Sequence, residues 1–303
     1  MTDPSLREQE APDVVLSPAP RWTQDQGLVV VPARHPGRWI VTAVLALVGV
    51  AVLRSIITNP NFQWDVVGQY LFADIILMGL LTTLWLTAIA MLLGISLGIV
   101  VAVMRISENP IIASAAQFFL WFFRGTPILV QLIFWYNLAA LYPTYSIGIP
   151  WLAPGALHGS VNDLITPYTA AILGLGLNEA AYMAEIVRAG ILSVDSGQAE
   201  AARALGMTRL ETMRRIVLPQ AMRFIVPPTG NETIGMLKTT SIVSVIALSD
   251  LLYSAQTIYS RTFQTIPLLV VACLWYLGVT SLLSLAQTRI EHRFNRGHIR
   301  RSR

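Results

Sequence analysis

What most constrains this chain is a succession of long apolar runs separated by short polar turns. A helix needs about 20 consecutive apolar residues to cross the hydrocarbon layer of a membrane. The first run covers 39–57 and is broken only by Arg54. The second covers about 70–104 with Asp74 at its start, so the crossing is expected to begin near Ile75. Residues 111–141 form a third stretch, interrupted by Gln117, Arg124, Gln131 and Asn137. There, Arg124-Gly125-Thr126-Pro127 predicts an interfacial helix up to Phe123 and then a span over about 127–141. Runs at 166–191, 224–252 and 266–286 complete the series, with a loop expected over 253–265. Charged residues make up only 13% of the chain, against roughly 25% in soluble domains. The expected fold class is an all-α integral membrane protein with about six transmembrane helices.

The segments outside these runs set the organisation. Residues 1–38 carry Asp3, Glu8, Glu10, Asp13 and Asp25 with several prolines, which is not the basic-then-apolar pattern of a targeting peptide. They read as a mostly disordered tail. Residues 39–288 form the membrane domain, and 289–303 form a basic tail. Residues 142–165 have prolines, glycines and aromatics but no Lys or Arg, as expected of an external loop, with room for short helices. Of 21 Lys and Arg, seventeen fall in segments that six spans place on one side, and only Arg54 and Arg261 on the other. This positive-inside bias predicts cytoplasmic N- and C-termini. It also explains the basic balance without nucleic acid. The single cysteine, Cys273, and the scattered His35, His158, His292 and His298 give neither a disulfide framework nor a metal cluster.

Between the fourth and fifth runs lies a polar island, 196–219, on the predicted cytoplasmic side. Ser196 is a plausible N-cap for a helix through Leu205, and Gly206 is placed to end it. Thr208 and Glu211 have capping-box spacing and start a second helix. Pro219 is expected to stop that helix. Ala199, Ala202 and Leu205 share a small apolar face beside Glu200 and Arg203, suited to a shallow groove on a partner or to an ordinary solvated loop helix. The segment Ala-Arg-Ala-Leu-Gly-Met-Thr also looks like a DNA-binding helix-turn-helix. The flanking spans decide against that reading.

Polar groups inside spans are costly and face a bundle interior or a path. In the fifth run, Asn231, Gly235 and Lys238 fall on one helical stripe, and Glu232 and Thr239 on the next. That face reads either as a translocation path or gate, or as an ion pair or subunit interface. In the fourth run, Asn178 and Glu179 lie mid-span. Glu179 has no partner within helical reach and is the best single candidate for touching a charged or polar solute. Glu185 and Arg188 are spaced to pair. Ala180 and Ala184, like the Gly94 and Gly98 pair, permit close helix approach. Arg124 is expected to snorkel to the headgroups, with Trp121, Phe122, Phe123, Trp135 and Tyr136 as interfacial aromatics.

One pattern is more specific. Glu200-Ala201-Ala202, three residues, Gly206, nine residues, Ile216, one residue, then Leu218-Pro219 resembles the EAA loop of ABC-transporter importer permeases. Phe123-Arg124-Gly125-Thr126-Pro127 with Gln131, residues 181–188, Gly197-Gln198 and residues 237–241 are similar to the polar amino-acid branch of that family. The branch handles histidine, arginine, lysine, glutamine, glutamate, aspartate, cystine or opines. The resemblance implies a five-helix core, here 75–288 with a coupling loop over 193–219, plus one added N-terminal helix. It also implies that Glu200, Ala201, Ala202, Gly206, Leu218 and Pro219 dock on an ABC ATPase dimer. The further partners implied are a second permease chain, identical or a sister, and an extracytoplasmic solute-binding protein that delivers a polar amino acid. The location implied is the bacterial cytoplasmic (inner) membrane. The candidate substrate path is Asn178, Glu179, Asn231, Glu232, Lys238 and Thr239. No cofactor is expected in this chain: ATP and Mg would be bound by the partner, and there is no GxxxxGK[ST] phosphate loop. The chain is expected to be a transport subunit rather than an enzyme, since no HExxH and no Ser-His or Cys-His arrangement lies in its spans. The competing reading is a secondary transporter or channel that works without an ATPase.

Overall fold

A computed structural model describes the backbone of residues 36–149 and 153–294. The expected disordered tail, apart from its last three residues, and the end of the basic tail lie outside the described residues. The chain divides into two units, one ending at Thr58 and one beginning at Asn59. In the first, α1 (Pro36–Thr58) is a single 23-residue helix, apolar on all sides. Its two threonine hydroxyls bond to its own backbone: Thr42 donates to the Arg38 carbonyl and Thr58 to that of Arg54, each at 2.8 Å. A helix that is apolar all round and satisfies its polar groups internally suits a lipid surrounding.

The second unit begins with a short 3-10 turn, Pro60–Phe62, and α2 (Trp64–Tyr70). Its centre is α3 (Asp74–Ile106) packed along α8 (Pro167–Leu192). Small residues make that approach possible. A Cβ on Gly98 would lie 2.6 Å from Met183 Cβ and 3.0 Å from the Ala184 nitrogen. A Cβ on Gly176 would lie 2.5 Å from a Leu93 methyl carbon. Ala180 and Ala184 are buried in the same seam. The GxxxG spacing thus acts between these two helices.

The third run breaks at the expected place, and its second arm is shorter than the span expected over 127–141. α4 (Pro110–Gly125) meets α5 (Ile128–Tyr136) at 100°. Pro127 forces the break, because it excludes helical geometry at Thr126, whose φ and ψ are −113° and 142°. α5 has nine residues, about 14 Å of helix, and cannot cross about 30 Å of hydrocarbon by itself. A four-residue α6 (Leu138–Leu141) follows. Counting the bent segments as one span each gives six crossings, and four without them, among the described residues.

Three expectations need correction. The external segment is chiefly a β-hairpin: β1 (Thr144–Ile149) pairs antiparallel with β2 (Ala153–Ser160), and only the four-residue α7 (Val161–Leu164) is helical. The expected loop at 253–265 is mostly α12 (Leu251–Thr262), capped by Asp250, whose carboxylate accepts the Tyr253 amide at 2.8 Å. α13 (Thr265–Phe294) runs beyond the predicted end of its span. The hairpin has a local cause. Tyr and Ile are strand formers, and there is no helical apolar stripe to compete with them.

Candidate functional site

The polar island folds as two capped turns on the end of the bundle. α9 (Ser196–Ala204) starts at Asp195, not Ser196: the Asp195 carboxylate accepts the Gly197 amide at 2.7 Å. Its end is a Schellman motif. Gly206 N–H donates to the Arg203 carbonyl at 2.9 Å, and Met207 N–H to that of Ala202 at 3.1 Å. The motif needs a left-handed residue, and Gly206 supplies φ +79°. α10 (Arg209–Thr212) opens with the full capping box: Thr208 Oγ1 accepts the Glu211 amide, and Glu211 Oε2 accepts the Thr208 amide at 3.0 Å. Those bonds from the Thr208 amide, then its hydroxyl, hold the Glu211 carboxyl below its usual range.

Pro219 does not stop the helix. A π-turn, Met213–Val217, leads directly into α11 (Leu218–Thr239), and Pro219 lies in its first turn. The wide turn relieves the clash a proline ring makes with the carbonyl one turn back. Gln220 Nε2 donates to the Ile216 carbonyl at 2.9 Å. The inward face of α9 also differs from the expected docking face. Ala202 is buried and Ala199 half-buried, holding α9 against α10 and the π-turn. Glu200, Ala201 and Leu205 point outward. Leu205 is 83% exposed and Leu210 66% exposed, two large apolar side chains left open on an otherwise polar loop. Leu218 and Pro219 are exposed as well.

Within the bundle the polar residues sort into three groups. At the α4–α5 break, Gln131 Nε2 donates to the Phe123 and Thr126 carbonyls, each at 3.0 Å, and to Thr126 Oγ1 at 2.7 Å. Asn178 Nδ2 reaches the same Phe123 carbonyl at 2.9 Å. The carbonyls freed by the break are therefore satisfied inside the protein, as an apolar surrounding requires. The Arg124 guanidinium lies 5.4 Å from the centre of the Tyr182 ring. Glu185 and Arg188 pair as expected. Asn178 thus has an architectural partner.

The second group lies at the start of α12 and was not foreseen. Asp250 and Thr83 are fully buried. Thr83 Oγ1 accepts the Leu251 amide at 3.0 Å, and Tyr276 Oη lies 3.4 Å from Asp250 Oδ2. A Cβ on Gly79 would stand 2.7 Å from the Asp250 carbonyl oxygen. The sequence signal was available: Ser249-Asp250 ahead of a helix-forming stretch is an N-cap.

The third group is on α8 and α11. Glu179 is 3% exposed, and its Oε1 has no hydrogen-bond partner among the described residues. Its side chain lies over Gly94, where a Cβ would come within 2.5 Å of the Glu179 Cγ. Glu232 on α11 is half-buried and within coulombic reach of it. Thr239 is absorbed by its own helix, donating to the Gly235 carbonyl at 3.1 Å. Asn231 Oδ1 accepts from Gln287 Nε2 of α13 at 3.0 Å. Asn231 and Lys238 are exposed, and Gly235 beside them meets open space. Lys238 has no ion pair among the described residues. An apolar groove of about 660 Å³, lined by neither acid, runs between α3, α8, α11 and α13.

Comparison with known proteins settles the family. Residues 94–296 match the family described as the binding-protein-dependent transport system inner membrane component. The chain belongs to this family. It is 45% identical over 289 residues to the arginine transport system permease protein ArgU of Corynebacterium glutamicum, covering 95% of this permease and 90% of that one. It is 33% identical to the glutamine transport system permease protein GlnP of Escherichia coli, covering 77% and 98%. A solved amino acid ABC transporter crystallised with histidines is 37% identical, with a TM-score of 0.62, over 73% of this permease and 95% of that chain. An inward-facing MetNI methionine transporter, 18% identical with a TM-score of 0.61, shares the fold. The permease is accordingly a multi-pass inner-membrane subunit of an ABC importer, a transport component that works with an ATPase and a binding protein.

Proposed function

We propose that this permease carries a polar amino acid, handed over by an extracytoplasmic binding protein, through a dimer of two such chains driven by an ATPase dimer that itself binds ATP and Mg. Its relatives are named for arginine, glutamine and nopaline, all polar amino acids or their conjugates. The termini and the 193–219 loop lie in the cytoplasm, in line with the seventeen basic residues assigned to that side. The observation that carries the reading is the loop. It is closed at both turns by capping bonds, yet leaves Glu200, Leu205 and Leu210 exposed. A rigid, partly apolar knob continuous with α11 can pass a push from a motor to the bundle.

Glu200, Ala201, Gly206, Leu218 and Pro219 take the docking role, and Ala202 supports it from beneath. The exposed α11 face with Asn231, Gly235 and Lys238 is costly against lipid, so it faces the second chain or the path between the two. Glu179 and Glu232 belong to the path. Asn178 and Thr239 belong to the path as well, each oriented by a hydrogen bond to a backbone carbonyl. The test is Glu200→Arg in the assembled transporter. Membrane insertion is expected to persist while solute-stimulated ATP hydrolysis falls at least tenfold. Normal stimulation, or amino-acid uptake into proteoliposomes by this chain alone, would refute the coupling and favour a secondary transporter.

A further inference from the structure

We infer that the apolar groove holds an acyl chain of an anionic phospholipid from the cytoplasmic leaflet, whose phosphate is met by Arg214, Arg223 and Arg293 at the groove mouth. The site presupposes that the 193–219 loop is cytoplasmic, as proposed above, and does not depend on the cargo.

The lining decides what can enter. The groove is walled by aliphatic side chains, and the polar side chains it has are Thr229, Thr233 and Gln287. All three are engaged by the bundle. Thr229 donates to the Ile225 carbonyl at 2.7 Å, and Thr233 to that of Thr229 at 2.9 Å. Gln287 Nε2 donates to the Pro227 carbonyl, to Asn231 Oδ1 and to Glu291 Oε1. A polar solute entering here would lose its water for little return, whereas a hydrocarbon chain would lose nothing. The volume of about 660 Å³ is that of a ligand cavity, for which about 300–1,000 Å³ is usual.

Helical phase turns the groove toward lipid. Val226 and Thr229 carry the groove side of α11. At about 100° per residue, Asn231, Gly235 and Lys238 lie about 120–180° round the helix from both. The α11 face assigned to the second chain or the path is therefore on the far side. The depth of the groove matches one leaflet. Ile95 and Val103 on α3, like Met183 and Ile191 on α8, are eight residues apart, about 12 Å of helix. Half of a hydrocarbon layer of about 30 Å is about 15 Å. The deep end lies at Met183, and the mouth lies at Met213, Leu218 and Ile290, beside the coupling loop.

The charge sits at the mouth. On α13 the groove residues Leu283, Ala286, Gln287 and Ile290 form one helical stripe, and Arg293 is its next position. Arg214 adjoins Met213 and precedes Leu218 by four residues, one turn. Arg223 precedes Gly230 by seven residues, two turns, on the same side of α11. All three arginines are exposed and have no ion pair among the described residues. The acids of the neighbouring segments are engaged elsewhere: Glu211 by Thr208, Glu108 by Arg209 and Glu291 by Gln287. Guanidinium groups grip phosphate through paired hydrogen bonds. Each basic residue close to an anionic leaflet strengthens the attraction by about fivefold.

The assembled transporter is placed in nanodiscs of equal parts phosphatidylcholine and phosphatidylglycerol. Lipid retained on release into detergent is counted by native mass spectrometry. The wild type is expected to retain phosphatidylglycerol over phosphatidylcholine by at least fivefold. Arg214→Gln together with Arg293→Gln should cut that preference at least fivefold. Val226→Trp, which fills the groove, should remove retention of both lipids. A photoreactive residue at Val226 in the otherwise unchanged chain should cross-link phospholipid, and it carries the groove test if Val226→Trp fails to assemble. No preference in the wild type, or one that survives the arginine variant, overturns the proposal. So does retention that survives Val226→Trp, or a cross-link to a second copy of the chain or to the amino acid in place of lipid. Sidedness is read separately, with a membrane-impermeant maleimide on intact cells carrying Arg293→Cys and Cys273→Ser. Labelling from outside overturns the cytoplasmic placement and the lipid site with it, whereas protection without a lipid preference overturns the lipid site alone.

Discussion

Gly206 offers the sharpest test of how the loop is held. Its φ of +79° lies where a side chain normally cannot go, and the conformation places its N–H 2.9 Å from the Arg203 carbonyl. A Cβ built there meets nothing within 4 Å. Replacing Gly206 by alanine therefore costs only the left-handed backbone, about 1–2 kcal/mol, with no packing term to confuse it. Asparagine tolerates that region better and should cost less. At about 1.4 kcal/mol per factor of ten, alanine raises the population of an opened α9 end by roughly five- to thirtyfold. Proline is worse in kind: its φ is fixed near −65° and it has no N–H to give Arg203. Hydrogen exchange of the 205–213 amides in the assembled transporter should follow the order Gly, Asn, Ala, Pro, slowest to fastest. Solute-stimulated ATP hydrolysis should fall in the same order while membrane insertion stays constant. If alanine exchanges like glycine, the Schellman closure is not what holds the loop. If exchange rises but hydrolysis does not fall, the loop's rigidity is not what couples.

Three further outcomes follow from the packing. Gly98→Leu should destabilise the bundle by about 1–3 kcal/mol, because its Cβ would meet the backbone at Ala184 N and Ala180 O, which cannot rotate away; detergent thermal melts of this variant and of Gly235→Ala, which meets open space, should diverge clearly. Asn178→Leu should cost about 1 kcal/mol, since the Phe123 carbonyl keeps its bond from Gln131, but adding Gln131→Leu strips that carbonyl of both donors, so the double variant should lose more than the sum of the singles. Glu211 has its pKa lowered in the folded loop, so the stability it adds is present above the ordinary carboxylate pKa of about 4.3 and is lost as pH falls through the depressed value; the protection of the 211–213 amides, relative to their unfolded exchange rates at each pH, should fall over that acidic range, and Glu211→Gln should remove that loss of protection.

How much was legible follows from where each signal is stored. The spans could be read because twenty apolar residues in a row have few other fates. The loop could be read because caps are local: Gly206 and the Thr208–Glu211 pair act within four residues of themselves. The bend at Pro127 was foreseen as a break but not as a 100° corner, because the angle is fixed by Gln131 and by Asn178, which lies 55 residues from the carbonyl it bonds. Pro219 misled for a related reason: a proline stops a regular helix, but the preceding π-turn already provides the width it needs. The apolar face assigned to docking was misread because periodicity cannot say which side of a short amphipathic helix meets the protein. The answer came from Ala202 packing inward and Leu205 facing out.

The same distinction sorts the polar residues of the membrane interior. A side chain that already donates to a backbone carbonyl has part of its hydrogen-bonding capacity committed to the fold. Asn178, Gln131 and Thr239 are committed in this way. Glu179 is not committed: one oxygen is buried over Gly94 with no hydrogen-bond partner among the described residues. A chain that only needed to fold would gain by replacing that carboxylate with an apolar side chain of similar volume.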